Sequence, residues 1–142
     1  MNVKFHSTIV RYDGSFQTLS AFLLAGKANA ADTETMQFSA DGSLDADAFA
    51  LRYKEEDGTE ACLRYDRNGT LFFRRGLTNA VFTLGKTTSF SHQTAYGVLP
   101  TEAYTTRLEL MEKNGSYLLA LTYFAHICGM VQENTMKWKF TR

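Results

Sequence analysis

The chain is poor in proline and cysteine and has no surplus of charge. One proline, Pro100, stands among 142 residues, of which 13% are aromatic. That balance argues for an ordered, strand-rich domain rather than a disordered one. The two cysteines, Cys62 and Cys128, are too few for a disulfide framework. Both stand in apolar runs that read as strands, which predicts two buried free thiols. Lysine plus arginine number 15, as do aspartate plus glutamate, for a formal net charge of zero. No global field therefore draws the chain toward anionic membranes or nucleic acid, although a local basic stripe is compatible with that balance. No apolar run approaches the roughly eighteen residues that a membrane-spanning helix needs. Met1-Asn2-Val3-Lys4-Phe5-His6 lacks the charged-then-apolar order of a secretory signal. The expectation is a cytoplasmic protein with no membrane partner.

Catalytic signatures are missing as well. There is no Gly-x-Ser-x-Gly elbow, no Walker-type loop and no Gly-x-Gly-x-x-Gly turn. His6, His92 and His126 are scattered singly, whereas zinc ligands usually come in closely spaced pairs. His126-Ile127-Cys128 sets two ligand types on one face of a strand, but a histidine packed beside a core thiol is the simpler reading. Glu55-Glu56-Asp57 reads as a solvated acidic turn. The expectation is a protein that is not an enzyme and carries no cofactor and no metal.

What the sequence does have is a rhythm. From about Met36, short alternating apolar runs are cut by Asp41-Gly42, Asp57-Gly58, Asn68-Gly69, Gly76, Gly85, Gly97 and Asn114-Gly115. Such punctuation marks antiparallel strands joined by tight turns. The predicted strands are Val3 to Tyr12, Thr33 to Ala40 (ending at Asp41-Gly42), Ala48 to Lys54, Thr59 to Asp66, Thr70 to Arg75, Asn79 to Leu84, Thr87 to Thr94, Gly97 to about Glu112, Ser116 to Cys128, and a last strand around Met136 to Thr141. Asn68-Gly69 predicts a type I′ hairpin turn, and Pro100 predicts an edge or a bulge. In the last strand Met136, Trp138 and Phe140 alternate with Lys137, Lys139 and Thr141, so the apolar three point inward. Ser15 to Ala31 supports two readings. Ser15 could cap a helix with Phe16, Leu19 and Leu23 on one face and Gly26-Lys27 at its end. Alternatively Phe16 to Leu24 is a strand followed by a loop, and the reading leans to strand or irregular structure.

Nine or ten strands in an open sheet would leave long unpaired edges, and closure into a barrel removes them. The expected fold is all-β: one closed antiparallel barrel of eight to ten strands, a single domain over residues 1–142. Residues 1–35 have no assigned topology, and 15–31 are a candidate insertion. A barrel of about eight strands has an interior that side chains fill or that holds one small ligand.

A family resemblance lies on the same turns. Phe49-Ala50-Leu51-Arg52-Tyr53-Lys54-Glu55-Glu56, Gly58-Thr59, Leu63-Arg64-Tyr65, Arg74-Arg75-Gly76, Phe82-Thr83-Leu84-Gly85 and Thr94-Ala95-Tyr96-Gly97 follow in an order and spacing that resemble the YwiB-like proteins. These are small bacterial proteins of uncharacterised function. The resemblance covers about Met36 to Arg142 and implies a calycin-like, lipocalin-like closed barrel. It supplies no catalytic residue. The chain departs from the pattern before Met36 and at Lys54, a position that is usually acidic.

Candidate binding residues follow from strand phase and turns. Arg52, Arg64 and Arg74 stand opposite the apolar faces of three adjacent strands. If those faces point inward, the arginines form an outer basic stripe with Arg75 and Arg107 nearby, able to meet an acidic partner or an RNA backbone. If they point outward, an arginine lines the barrel and could clamp a carboxylate. The apolar faces are the larger, which favours the outer stripe. Tyr96 marks either a cavity rim or an aromatic plug. Tyr117 opens a run, to Ile127, that is apolar on both faces, as a strand covered on both sides or facing an apolar cavity would be. Trp138 points inward. The candidate ligand-binding set is therefore Arg52, Arg64, Tyr96, Arg107, Tyr117 and Trp138. Two functions fit: a non-enzymatic barrel holding a small apolar or amphipathic ligand, or a packed barrel that engages a protein partner or a second copy of itself.

Overall fold

The computed structural model describes residues 1–25 and 29–141. Among these the elements run β1 (Asn2–Tyr12), α1 (Leu19–Ala25), β2 (Ala30–Asp45), β3 (Ala50–Lys54), β4 (Glu60–Asp66), β5 (Thr70–Arg75), β6 (Thr78–Thr83), β7 (Thr87–Thr94), β8 (Gly97–Lys113), β9 (Ser116–Ile127) and β10 (Met130–Thr141). The strands form one antiparallel sheet in the order β6-β5-β4-β3-β2-β1-β10-β9-β8-β7. Except for β6 and β7, chain neighbours are sheet neighbours, and β10 returns to lie beside β1, with Phe5 opposite Trp138. The two ends of the sheet, β6 and β7, are consecutive in sequence and close the barrel as a splayed hairpin. Side chains bond across that seam: Thr88 Oγ1 donates to the Val81 carbonyl, and Thr78 Oγ1 accepts from Gln93 N at 3.0 Å. Farther along, Leu84 bridges to Thr105 of β8.

The alternation read from the sequence sets the inside. Trp138 and Phe140 are sealed from solvent while Lys139 is exposed. Val3, Leu51, Leu63, Leu71, Phe82, Leu119 and Leu121 fill the barrel with them. Burying side chains of this size contributes roughly 1.5–3 kcal/mol each, so this cluster is the main stabilising element.

Several expectations change on contact with the structure. The segment after Ser15 contains a helix, α1, although the reading leaned to a strand. Thr18, not Ser15, caps it, with its Oγ1 accepting from Ala21 N at 3.0 Å. The helix buries Leu19 and Phe22 and leaves Leu23 exposed. It packs outside the barrel, where Leu19, Phe22 and Val131 gather Tyr12, Phe16, Tyr104 and Phe124. This second cluster gives β9 its outward apolar residue Phe124, which accounts for part of the two-sided run. The proposed end of the helix at Gly26-Lys27 lies outside the described residues.

Asp41-Gly42 is not a turn. β2 runs straight through it, changing partner from β1 (Asn2 opposite Asp41) to β3 (Gly42 opposite Tyr53). A Cβ on Gly42 would sit 2.6 Å from Val3 Cγ2 and 2.8 Å from the Arg52 carbonyl oxygen. The glycine is there for close backbone approach, which a dipeptide pattern cannot distinguish from a turn. At Asn68-Gly69 only Gly69 has positive φ, at 96°, and its N–H donates to the Asp66 carbonyl at 3.0 Å. That is a turn closed by one left-handed glycine rather than type I′. Cys128-Gly129 is a turn the sequence reading missed: both residues have positive φ, 51° and 80°, and join β9 to β10. Cys128 is therefore exposed, and it shares no strand face with His126. Cys62 is half-buried on the outer face, because period two places its neighbours Ala61 and Leu63 inside. The two thiols are not buried core residues.

Candidate functional site

The barrel is filled at one end and hollow at the other. Along β10 the inward residues run Phe140, Trp138, Met136, Asn134, Gln132; along β6 they run Phe82, Ala80, Thr78; along β1, Val3, Phe5, Ser7, Ile9. Toward the end formed by the β3–β4, β5–β6 and β7–β8 turns, the inward side chains become smaller or polar. They cannot close the interior there, and a cavity of about 590 Å³ opens. Phe5, Phe38, Phe73, Phe82 and Phe90 supply aromatic lining, with Met36 and Met136 beside them. Ser7, His92, Thr78, Thr94, Gln132 and Asn134 supply the polar lining.

Two phenols are fixed in this wall. Tyr53 OH accepts from Trp138 Nε1 at 3.0 Å, and Tyr123 OH accepts from Asn134 Nδ2 at 2.7 Å. Gln132 Nε2 in turn donates to Asn134 Oδ1 at 3.0 Å. Burial pushes the Tyr53 hydroxyl up to about 12, with Glu55 adding to the shift and the Trp138 bond and Arg75 opposing it. Burial likewise raises Tyr123 to about 12 against the Asn134 bond. Both phenols thus stay neutral, and each keeps its own hydrogen for donation. Ser7 is only 3% exposed. It lines the cavity.

One ion pair stands among these groups. Arg75 Nε donates to Glu55 Oε2 at 2.7 Å and Nη2 donates to Oε1 at 3.0 Å. Strand phase places both: Glu55 follows inward Tyr53 by two residues, and Arg75 follows inward Phe73 by two. The Glu55 side chain is 10% exposed and that of Arg75 49%. The hydrogen bond to Glu55 holds the guanidinium above its usual value. The acidic turn is therefore not uniformly solvated: Glu55 is turned in, while Glu56 and Asp57 are exposed. Asp57 accepts from Thr59 N at 2.9 Å, and this bonding lowers its carboxyl below the usual range.

The six residues singled out from sequence do not converge. Arg52 and Arg64 are exposed on the outer wall, with Arg64 lying over the Phe72 ring at 4.3 Å. Arg52 shares an open outer depression of about 450 Å³ with Arg74. Arg107 pairs with Glu109 at 3.2 Å. Tyr117 stacks on Phe140 in the filled half, with centroids 5.3 Å apart. Tyr96 is 99% exposed next to the cavity residues Thr94 and Ala95. Trp138 lies beneath the cavity and reaches it through Tyr53, Phe5 and Phe73. The groups missed are Ser7, Glu55, Arg75, His92, Gln132 and Asn134. A polar residue at an inward phase is the signal that would have found them.

Among the described residues no cluster of three His, Cys, Asp or Glu is placed to hold a metal ion. No described helix is long and apolar enough to cross a membrane.

Comparison with known proteins agrees with the barrel. The chain is similar in structure to the ywiB protein from Bacillus subtilis, with a TM-score of 0.65 at 14% identity over 99% of this chain and 92% of that one. At that identity the likeness speaks to the fold. No curated protein matches. Residues 25–137 match the sequence profile described as Domain of unknown function (DUF1934). That match takes in every strand of the barrel except β1 and the end of β10, and the chain belongs to this YwiB-like DUF1934 family.

Proposed function

We propose that the protein is a single-domain, non-enzymatic binding module that takes a small amphipathic ligand into the barrel. The observation that carries this reading is the cavity of about 590 Å³, with an aromatic wall and a few polar groups. Small-molecule sites are typically concave, mostly apolar and roughly 300–1,000 Å³ in volume. A barrel whose aromatics filled it from end to end would have had no room for a ligand.

The chain carries its own reporter. Trp138 is the sole tryptophan, and its ring lies 5.4 Å from Phe5 and 5.4 Å from Phe73, both of which line the cavity. A neutral naphthylamine dye bound inside accepts excitation from Trp138. Titration is expected to give saturable energy transfer that an apolar competitor abolishes. Folded protein that shows no saturable transfer, or transfer that no competitor removes, refutes the reading.

A further inference from the structure

The charges that line the cavity are few and already matched. Among the described residues Arg75 is the only lysine or arginine in its wall and Glu55 the only carboxylate. They are bound to each other at two points. Glu55 occupies the fork of the guanidinium that a ligand carboxylate would use. A ligand anion seeking that edge would have to displace a nearly buried carboxylate, at the remaining N–H groups it would meet a guanidinium already neutralised by Glu55, and a ligand cation would have to separate Glu55 from Arg75. Displacement by an anion leaves Glu55, whose side chain is 10% exposed, without its partner, which is unfavourable, while the half-exposed Arg75 keeps access to solvent.

Apart from the His92 imidazole, the other polar groups of the wall are hydroxyls and amides. The Tyr53 and Tyr123 oxygens each accept one hydrogen bond, so each phenol has its hydrogen left to donate. Ser7 adds a hydroxyl, and Gln132 and Asn134 add amides. A site built to hydrogen-bond hydroxyl or carbonyl groups discriminates sharply against ligands that leave those groups unpaired.

Resting on the reading that the cavity binds a ligand, we propose that its ligands are uncharged: an apolar body bearing a hydroxyl or carbonyl oxygen. Glu55 is the specificity residue, because it neutralises Arg75 and occupies the guanidinium edge that would otherwise take a carboxylate.

The test uses the whole protein and three probes of one chain length near neutral pH: 1-dodecanol, dodecanoate and dodecylammonium. Each is titrated as a competitor of the naphthylamine dye. Wild-type protein is expected to bind dodecanol at least about tenfold more tightly than either ion, equivalent to about 1.4 kcal/mol. Glu55→Gln, which frees the Arg75 fork, is expected to tighten dodecanoate about tenfold while leaving dodecanol within about threefold. Dodecanoate or dodecylammonium matching dodecanol on wild-type protein overturns the assignment and leaves the binding module intact. So does a folded Glu55→Gln protein that gains nothing for dodecanoate. Failure of the dye itself to bind overturns the binding module and the assignment together. The wild-type series decides the question even where the variant does not fold.

Discussion

Ala80→Leu separates a hollow barrel from a packed one, because the two predict opposite signs. Ala80 is 7% exposed, lies opposite Phe73 on β5 and lines the cavity beside Phe82. Leucine adds three carbons there. Against the aromatic wall each is worth up to about 0.8 kcal/mol, about 2.4 kcal/mol together. Ordering the new side chain costs about 0.5–1 kcal/mol. The expected net effect is a gain of about 1.5 kcal/mol, read as a higher urea midpoint at unchanged m-value. The same leucine occupies ligand volume, so dye affinity is expected to fall at least tenfold. In a region already packed, the added carbons would instead force strain and cost about 1–3 kcal/mol. A destabilised Ala80→Leu protein therefore refutes the hollow-end reasoning, whatever it does to the dye.

Other consequences follow from the same geometry. Tyr53 and Tyr123 are held near 12 against an ordinary 10.0. Their stabilising contribution is complete below pH 10 and is lost as pH rises from 10 to 12, by about 3 kcal/mol per phenol; urea unfolding at stepped alkaline pH should show that slope, and Tyr123→Phe should remove its share. Gly42→Ala forces a Cβ to within 2.8 Å of the Arg52 carbonyl oxygen. It should cost about 2 kcal/mol despite the better strand propensity of alanine, and a neutral result would mean that β1 and β3 do not crowd β2 there. Phe22→Ala removes a ring lying 5.0 Å from Tyr12 and 5.6 Å from Phe124. A loss of about 3 kcal/mol is expected, and a loss under about 1 kcal/mol would show that α1 does not brace the barrel.

How much of this was legible in the sequence depends on which physical rule decides each position. Period two is local, so the inward phase of Trp138, Phe140, Leu63 and Phe82 could be read directly. Asn114-Gly115, with φ of 52° and 79°, forms its turn from local chemistry and was read as such. Gly42 was misread because what demands glycine there is Val3, far away in sequence. Cys128 was misread because cysteine carries no turn signal, yet the β9–β10 register places it at φ 51°. The short helix α1 was undecidable locally, since its stability comes from Phe124 and Val131 on strands distant in the chain. The site failed differently. Arg74 and Arg75 are neighbours with opposite phases, and the phase that put Phe73 inside also assigned Arg75 to the interior. Whether the interior is hollow is a sum of volumes over ten strands, and no single window of sequence contains it.

That sum has an energetic consequence. The cavity of about 590 Å³ opens to solvent, and its wall mixes polar groups with phenylalanines. Without a ligand, a space that is open, roomy and partly polar takes up water. Ser7, Gln132 and Asn134 are among the polar groups to which such water can bond. Water held there lies against five phenylalanines that return no hydrogen bond. Replacing that water with an apolar body is the favourable step, while a hydroxyl or carbonyl on the same ligand takes over the bonds the water made. The paired Glu55 and Arg75 need nothing from the ligand. The filled half gives the barrel its stability independently of the occupant, and the unfilled half sets what the occupant must be: apolar over most of its surface, polar at few points and without charge.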